Sequence, residues 1–264
     1  MQFPIYKVDA FTEKIFGGNP AAVCPLDFWL DDEVLQSIAM ENNLSETAFY
    51  CQEREGFRLR WFTPLVEVRL CGHATLATAH VLYHHLSYHA DVITFYTKSG
   101  ELTVSRTEEG KYLMDFPSDH PSPVNDEAVK TIIQSALDTD ILEIWKGKDD
   151  YMVVLPSENH IKNQQPDFIQ LASLDSRGLI ITARGEDVDF VSRGFFPRTG
   201  VDEDPATGSA HTMLTPYWAP RLRANRLKAQ QLSSRVGHFE CIYKGDRTAI
   251  IGGAVSFLEG EIKI

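Results

Sequence analysis

The chain has 264 residues and 43% of them are hydrophobic, which is enough for two domains of ordinary size or one large domain without disulfide support. The 25 Lys and Arg residues against 37 Asp and Glu residues give a formal net charge of -12. This charge argues against nucleic acid and anionic membranes as partners. A small carboxylate substrate remains open, because local backbone N–H groups and single positive side chains could bind it.

The cysteines and the ends of apolar segments give a first expectation about compartment. Cys24, Cys51, Cys71 and Cys241 form no C-x-x-C pair and show no metal-ligand spacing, so we expect reduced thiols, no metal and a cytosolic protein. The first residues lack a basic segment followed by an apolar run, and no apolar stretch reaches about 18 residues. We therefore expect neither a signal peptide nor a membrane span.

The first quarter of the chain predicts two strands, a helix and a third strand. Strands are expected over residues 3–10 and 21–25, separated by a turn at 16–20. Asp31 or Asp32 can cap the helix that follows, and Asn42 and Asn43 end it. Glu46 then enters the next strand.

Residues 71–75 mark a change of structure in the first half. Strands are expected at 57–62 and 66–70, after which the hydrophobic period changes from two to about 3.6 and predicts a helix over 74–86. Its Ala, Thr and Leu residues allow close approach to strands, which suits a helix buried against or inside a curved sheet. Strands return at 92–97, 101–106 and 111–116, and a polar turn at 107–110 joins the last two.

Three prolines within residues 117–123 should break both periodic structures. We place a domain boundary there, with domains over 1–117 and 118–264 and with the return of the last strand to the first domain left open. The second half predicts helices at 126–137 and 166–171 and strands at 151–155, 178–182 and 188–195. A loop of small residues at 204–211 then leads into a helix through Trp218, which echoes the first half.

Glycine-containing turns precede a helix in each half, at Gly72 and Gly208. The N–H groups at two such helix starts could hold an anion between the domains, although each glycine could also serve only to permit a tight turn.

Glu46 lies at the start of an apolar strand, and if it is buried its pKa should rise toward the working pH, as carbon-bound proton transfer requires. A solvated glutamate is the alternative.

His73 lies in the first turn of its helix, where the macrodipole favours neutral imidazole that could donate to a substrate oxygen or relay a proton. A packed or solvated histidine is the alternative, and His211 invites the same reasoning. His84, His85 and His89 are interpreted as the solvated end of a helix, not as metal ligands.

Asp202, Glu203 and Asp204 place three carboxylates together, where like charges raise one another's pKa if they are buried. Asp204 is the preferred site residue, and capping of the following helix is its structural alternative. Cys71 at a helix start could be a thiolate base, but this chemistry would need a partner thiol that residues 204–208 do not supply.

Several segments together resemble the PhzF family, the phenazine-biosynthesis-like isomerases that share the fold of diaminopimelate epimerase. The resemblance covers nearly the whole chain. Its segments are residues 9–12, 16–24, 43–49 with N-L-S-E-T, 60–64, 70–77 with C-G-H-A-T, 192–193, 196–197, 200–201, 203–211 with E-D-P-A-T-G-S, and 216–218.

The resemblance implies an α+β fold of two similar domains, each a curved mixed sheet or barrel around a central helix, with the active site between them, and a homodimer. It implies Glu46 as the acid/base that moves a proton between two substrate carbons without a cofactor, with His73 and Asp204 as further catalytic residues. The best-known member acts on a hydroxylated dihydroanthranilate. The remaining residues expected to bind a small carboxylate are Asn19, Gly72, Ala74, Thr75, Gly208 and Ser209.

Three functions stay open at this stage. The first is a cofactor-independent isomerase, the second is an amino-acid racemase or epimerase that would use Glu46 and Asp204 as opposed bases, and the third is a catalytically silent binding protein.

One position departs from the family pattern, since many relatives carry Asp where this chain has Arg69. Arg69 could tune the pocket toward a more acidic substrate or could point to solvent.

Overall fold

The computed structural model describes all residues from Met1 to Ile264. They form two compact units: the first unit comprises Met1–Phe116 and Ile251–Ile264, and the second unit comprises Pro117–Ile250. None of the helices combines the length and apolar character that a membrane crossing requires.

The elements alternate between short strands and a few helices along the chain. In the first part of the chain they are β1 (Gln2–Ala10), β2 (Asn19–Pro25), α1 (Asp32–Asn42), β3 (Glu46–Glu53), β4 (Gly56–Phe62), β5 (Glu67–Val68), α2 (Gly72–His84), β6 (Val92–Thr97), β7 (Gly100–Arg106) and β8 (Tyr112–Pro117). The remaining elements are β9 (Ser122–Pro123), α3 (Glu127–Leu137), β10 (Glu143–Lys146), β11 (Asp150–Val154), α4 (Glu158–Lys162), α5 (Phe168–Ala172), β12 (Gly178–Arg184), β13 (Phe190–Phe196), a 3-10 turn (Pro197–Thr199), β14 (Val201–Asp204), α6 (Gly208–Leu222), β15 (Arg226–Gln231), β16 (Gly237–Tyr243), β17 (Arg247–Gly252) and β18 (Ala254–Lys263).

The first unit is a mixed sheet around the buried helix α2. Strand β1 pairs antiparallel with β2 and with β18, while β2 runs parallel to β3. Beyond β3 the order continues through β4, β6, β7 and β8. Every residue of α2 from Gly72 to Leu82 is buried, and the helix contacts β1, β2, β3 and β18. The small side chains of this helix allow the close packing that the sequence predicts.

The second unit repeats the arrangement with a different set of strands. Strands β10, β11, β12, β13, β15 and β16 pair in that order, with parallel pairing between β11 and β12 and between β13 and β15. Helix α6 packs against β15 and β16 and is buried over most of its length, including Pro216. The predicted α+β fold of two similar mixed-sheet units, each around a central helix, is confirmed.

Several details differ from the sequence-based expectations. The strand expected at 66–70 is reduced to β5, because Thr63 accepts and donates hydrogen bonds within a turn that ends at Val66. The proline-rich segment is not free of regular structure, since Pro123 pairs with Trp145 in a short edge ladder. Proline is tolerated there because an edge strand needs hydrogen bonds on one side only. Strands β10 and β14 to β17 and the short helix α4 were not predicted. The last strand, β18, pairs with β1 of the first unit, which is the return that the sequence left open.

Candidate active site

Glu46 and Asn19 lie at the starts of two neighbouring parallel strands. Asn19 is the first residue of β2 and Glu46 is the first residue of β3, and the register places Ala21 beside Glu46. Side chains two residues apart on a strand share a face, so Asn19, Ala21 and Glu46 project to the same side of the sheet. The parallel pairing therefore brings an amide and a carboxylate to one edge.

His73 joins these two side chains from the start of helix α2. Its Nε2 lies 3.2 Å from Oε2 of Glu46, and its Nδ1 lies 3.2 Å from Nδ2 of Asn19. The His73 side chain is 5% exposed and that of Glu46 is 17% exposed. The carboxylate is thus shielded on one side by the imidazole and still reachable from solvent.

The contact with Asn19 indicates where the ring proton lies. The Asn19 amide nitrogen can only donate, so Nδ1 of His73 accepts and the proton of the neutral ring is on Nε2. Nε2 faces Oε2 of Glu46 at 3.2 Å, which places Glu46, His73 and Asn19 in one polar cluster. The thiol of Cys71 is also close, with Sγ 3.4 Å from Nδ1 of His73.

The first turn of α2 presents backbone donors next to this group. Cys71 precedes the helix in an extended conformation, and Gly72, Ala74 and Thr75 are buried in the first turn. The Thr75 hydroxyl donates to the Cys71 carbonyl over 2.6 Å, so it is engaged inside the helix. The first N–H groups of an α-helix have no acceptor within the helix, so this turn carries partial positive charge.

Asp204 belongs to the second unit, where it ends β14. Its carboxylate accepts a hydrogen bond from the Thr207 hydroxyl. The Gln231 side chain accepts from the Thr207 N–H over 2.8 Å and donates to the Asp204 carbonyl over 2.6 Å. The residue at the cap position of α6 is Thr207, so the capping role considered for Asp204 is wrong.

Gly208 and Ser209 begin α6, and the structure adds an arginine that the sequence did not indicate. Arg177 donates from Nη2 to Oγ of Ser209 over 3.1 Å and forms an ion pair with Asp150. Burial lowers the pKa of the Arg177 guanidinium, but its hydrogen bonds to Asp150 and the nearby charge of Asp204 raise it overall. Arg177 lies far from Ser209 in sequence, and no motif marks it.

The other two carboxylates beside Asp204 do not act with it. Glu203 forms a two-point ion pair with Arg193 at 2.7 and 2.9 Å, and Asp202 is exposed. Successive side chains on β14 alternate between its two faces, so Glu203 projects away from Asp204. The predicted crowding of three carboxylates is therefore absent.

His211 is a core residue and not a second proton relay. Its Nδ1 donates to the Thr207 carbonyl over 2.9 Å, and its ring stacks on Phe239 with 3.7 Å between centroids. The residue is fully buried. Burial lowers the pKa of His211 to about 4. The packed alternative considered for this histidine is correct.

The histidines at the end of α2 are only partly solvated. His84 and His89 are exposed, but His85 is half-buried and its Nε2 lies 2.7 Å from the Ser256 hydroxyl. His80, which the sequence analysis did not single out, is buried and hydrogen-bonds Tyr112 and the same Ser256. Arg69 is exposed, which agrees with the solvent-facing alternative.

Two similar mixed-sheet units, with a carboxylate and an imidazole 3.2 Å apart at a buried helix start, place side chains together that can exchange a proton with a bound molecule. The sequence profile of the family described as phenazine biosynthesis-like protein (PhzC-PhzF) matches residues 8–260. The chain is 52% identical, over 100% of both chains, to a protein of Pseudomonas aeruginosa named as an uncharacterized isomerase. It is 39% identical to the human phenazine biosynthesis-like domain-containing protein over 99% of each.

Solved structures agree with the sequence comparisons. A crystal structure of a PhzF-family phenazine biosynthesis protein from Enterococcus faecalis superposes with a TM-score of 0.93 at 46% identity, over 100% of both chains. A hydroxyproline epimerase from Agrobacterium vitis has a TM-score of 0.64 at 7% identity, covering 99% of this chain and 92% of that one, and shows a likeness of fold alone. The chain belongs to the phenazine biosynthesis-like (PhzC-PhzF) family, and it is an isomerase.

Proposed function

We propose that the protein is a cofactor-independent isomerase in which Glu46 takes a proton from one carbon of a small carboxylate or cyclic amino-acid-like substrate and returns it to another. The observation that carries this proposal is the contact of 3.2 Å between Oε2 of Glu46 and Nε2 of His73. A carboxylate held by one imidazole and still 17% exposed can meet a substrate and exchange a single proton with it.

His73 orients the base in this scheme. Because Asn19 donates to Nδ1, the imidazole keeps its proton on Nε2 and donates it to Glu46. The donation fixes the carboxylate that takes the proton and stabilises the negative charge it carries before the transfer. When Glu46 takes the proton, its negative charge passes to the substrate and the imidazole stays neutral.

The first turn of α2 supplies the binding side of the proposal. The N–H groups around Gly72 and Ala74 are placed to receive a substrate carboxylate, since a helix start favours negative charge. In the second unit, Asp204 remains a predicted catalytic residue, and Gly208 and Ser209 remain predicted substrate contacts. Homodimer formation and a cytosolic location also remain predictions.

Substitution of the base tests the proposal. Glu46→Gln keeps the shape and hydrogen-bonding capacity of the side chain but removes the proton acceptor, so kcat/KM should fall about 1000-fold, within the range of general acid–base catalysis. Glu53→Gln is the matched control, because Glu53 is a partly buried glutamate at the other end of β3. Substrates are found by incubating small cyclic amino acids and carboxylates with the protein in deuterium oxide and detecting deuterium by mass spectrometry.

The result also separates the isomerase from the epimerase. Movement of a double bond or a hydrogen between two carbons supports the proposed isomerase. Deuterium gain with inversion at one carbon would support the epimerase instead. Turnover by Glu46→Gln at the rate of the Glu53→Gln control would show that Glu46 is not the base.

A further inference from the structure

Three different metal-binding side chains converge at the start of α2. Ligand atoms of Glu46, Cys71 and His73 all lie within 4.8 Å of one another. Thiolate, imidazole and carboxylate are the three side-chain ligands that Zn²⁺ accepts, and three protein ligands with one open position are typical of zinc sites that remain accessible. The 25 positions that separate Glu46 from Cys71 hide this set from motif searches, which is why the sequence analysis expected no metal.

The distances between these atoms suit a tetrahedral ion. With Zn–S near 2.3 Å and Zn–N and Zn–O near 2.0–2.2 Å, ligand atoms of a tetrahedral site stand about 3.3–3.6 Å apart. Nε2 of His73 is 3.2 Å from Oε2 of Glu46 and 4.0 Å from Sγ of Cys71. Sγ of Cys71 now lies nearer Nδ1 than Nε2, at 3.4 against 4.0 Å, so the Cys71 side chain has to rotate toward Nε2 when the ion binds.

We propose that Cys71, His73 and Glu46 form a reversible binding site for Zn²⁺ or a similar soft divalent cation. The thiol proton of Cys71 leaves to solvent on binding, and the thiolate and the Glu46 carboxylate balance the two charges of the ion. A neutral complex is essential here, because Cys71 and His73 are buried and an uncompensated charge would be costly.

Asn19 completes the site as a partner of the bound imidazole. A metal ion on Nε2 leaves the ring proton on Nδ1, which then needs an acceptor. Rotation of the Asn19 amide by half a turn replaces its NH₂ donor with its oxygen at the contact with Nδ1, 3.2 Å away. One asparagine thus serves both the metal-free and the metal-bound state of His73.

Zinc binding and proton transfer would exclude each other, because both use the Glu46 carboxylate. Reversible inhibition of the isomerase by zinc rests on the proposed function, whereas the metal site itself rests only on the ligand geometry. The site is therefore tested by binding measurements that require no substrate.

The test uses the full-length protein, freed of metal with a chelator, and titrates it with Co²⁺ as a spectroscopic substitute for Zn²⁺. The wild-type protein should bind one equivalent, show a thiolate-to-cobalt charge-transfer absorption, and lose it when Zn²⁺ is added. Cys71→Ser should lose this absorption and bind Zn²⁺ at least about 10- to 100-fold more weakly, the loss seen even for outer ligand partners. Cys51→Ser, a change at another buried cysteine of the first unit, should behave as the wild type.

A second ligand variant, a competing ion and a folding control complete the test. Glu46→Gln should also weaken Zn²⁺ binding, because the site loses one of its two negative charges. Mg²⁺ should not compete with Co²⁺ or Zn²⁺ for the site, because it avoids sulfur ligands. Circular dichroism of each metal-free variant checks that it is folded, and Cys71→Ala replaces Cys71→Ser if the latter is not. Absence of the charge-transfer band in the wild type, or its persistence in a folded Cys71 variant, would overturn the proposal. If Cys71→Ser loses the charge-transfer band but Glu46→Gln keeps normal turnover, the metal site would be supported and the proposed role of Glu46 as the base would be refuted.

Discussion

Helix α2 of the first unit and helix α6 of the second unit both begin at a glycine, both are buried, and both carry a histidine in their first residues. His73 is the second residue of α2, and its ring reaches Glu46 and Asn19 at the edge of the sheet. His211 is the fourth residue of α6, and its ring turns back to the Thr207 carbonyl and stacks on Phe239.

His211 lies two positions further into its helix than His73, and this shift accounts for the different directions of the two rings. Helical side chains lean toward the N-terminus, so the ring at the fourth position covers the first turn of its own helix. At the second position no earlier turn lies beneath the ring, and the side chain extends past the helix start. In this protein the ring of His73 therefore reaches Glu46 beyond its own helix, while the ring of His211 packs against its own helix and Phe239.

The largest expected contrast comes from removing each ring. His211→Ala should lower the free energy of unfolding by about 3 kcal/mol, because it leaves a cavity against Phe239, as in other losses of a buried ring. His73→Ala should cost less stability but should reduce turnover about 100-fold, since Glu46 loses its orienting donor. Chemical denaturation and steady-state kinetics on both variants measure the two effects. Equal losses of stability with unchanged turnover would refute the distinction.

Acid should reveal the buried histidine of the second unit. The pKa of His211 is about 4 in the folded protein because burial disfavours its charge, against an ordinary value of 6.5. Its contribution to stability is complete above pH 6.5 and is lost as the pH falls toward 4, by up to about 3 kcal/mol.

The measurement is the pH dependence of urea unfolding for the wild type and His211→Gln. Glutamine keeps a donor for the Thr207 carbonyl and does not titrate, so the curve between pH 6.5 and 4 should be flatter in the variant. Burial also lowers the pKa of His80 to about 3, so some dependence on pH should persist in both proteins. Identical curves would show that His211 is not buried in its neutral form.

The smallest expected effect concerns the threonines that sit inside α2. Thr75→Val removes the hydroxyl that donates to the Cys71 carbonyl but keeps the side-chain shape, and should cost about 1 kcal/mol. Thr78→Val removes the same kind of bond one turn later, to the Ala74 carbonyl, and serves as the control. Denaturation midpoints of both variants should shift alike, whereas substrate KM should rise only for Thr75→Val if the first turn binds the substrate.

The sequence predicted most of the strands and helices of the first unit because their signals are local. The change of period at residues 71–75 and the asparagines at 42–43 place α2 and the end of α1 within two residues of their observed bounds. Strands β14 to β17 were not predicted, although β15 and β16 alternate between exposed and buried residues. The partner strand of β18 is β1, at the far end of the sequence, and no local pattern can indicate such a pairing.

The candidate site was predicted through motifs and completed only by the fold. Glu46, His73 and Asn19 each lie in a segment that resembles the family, and the parallel pairing of β2 with β3 explains why they meet. Arg177 and Gln231 could not be predicted, because each contacts a residue that is distant in sequence. Cys71 is only two residues from His73, but their contact depends on side-chain orientations that the sequence does not show. For His211 the position near a helix start left both a chemical and a packed role open, and the structure shows the packed one.

Transfer of an isotopic label between two carbons tests the role of Glu46 most directly. A substrate with deuterium at the carbon that loses its hydrogen is converted in ordinary water, and the product is examined by NMR for deuterium at the second carbon. A single carboxylate that removes and returns the same hydrogen should carry part of the label across in the wild type and in Glu53→Gln, and Glu46→Gln should abolish this transfer. Label transfer that continues at the wild-type rate in Glu46→Gln would contradict the account.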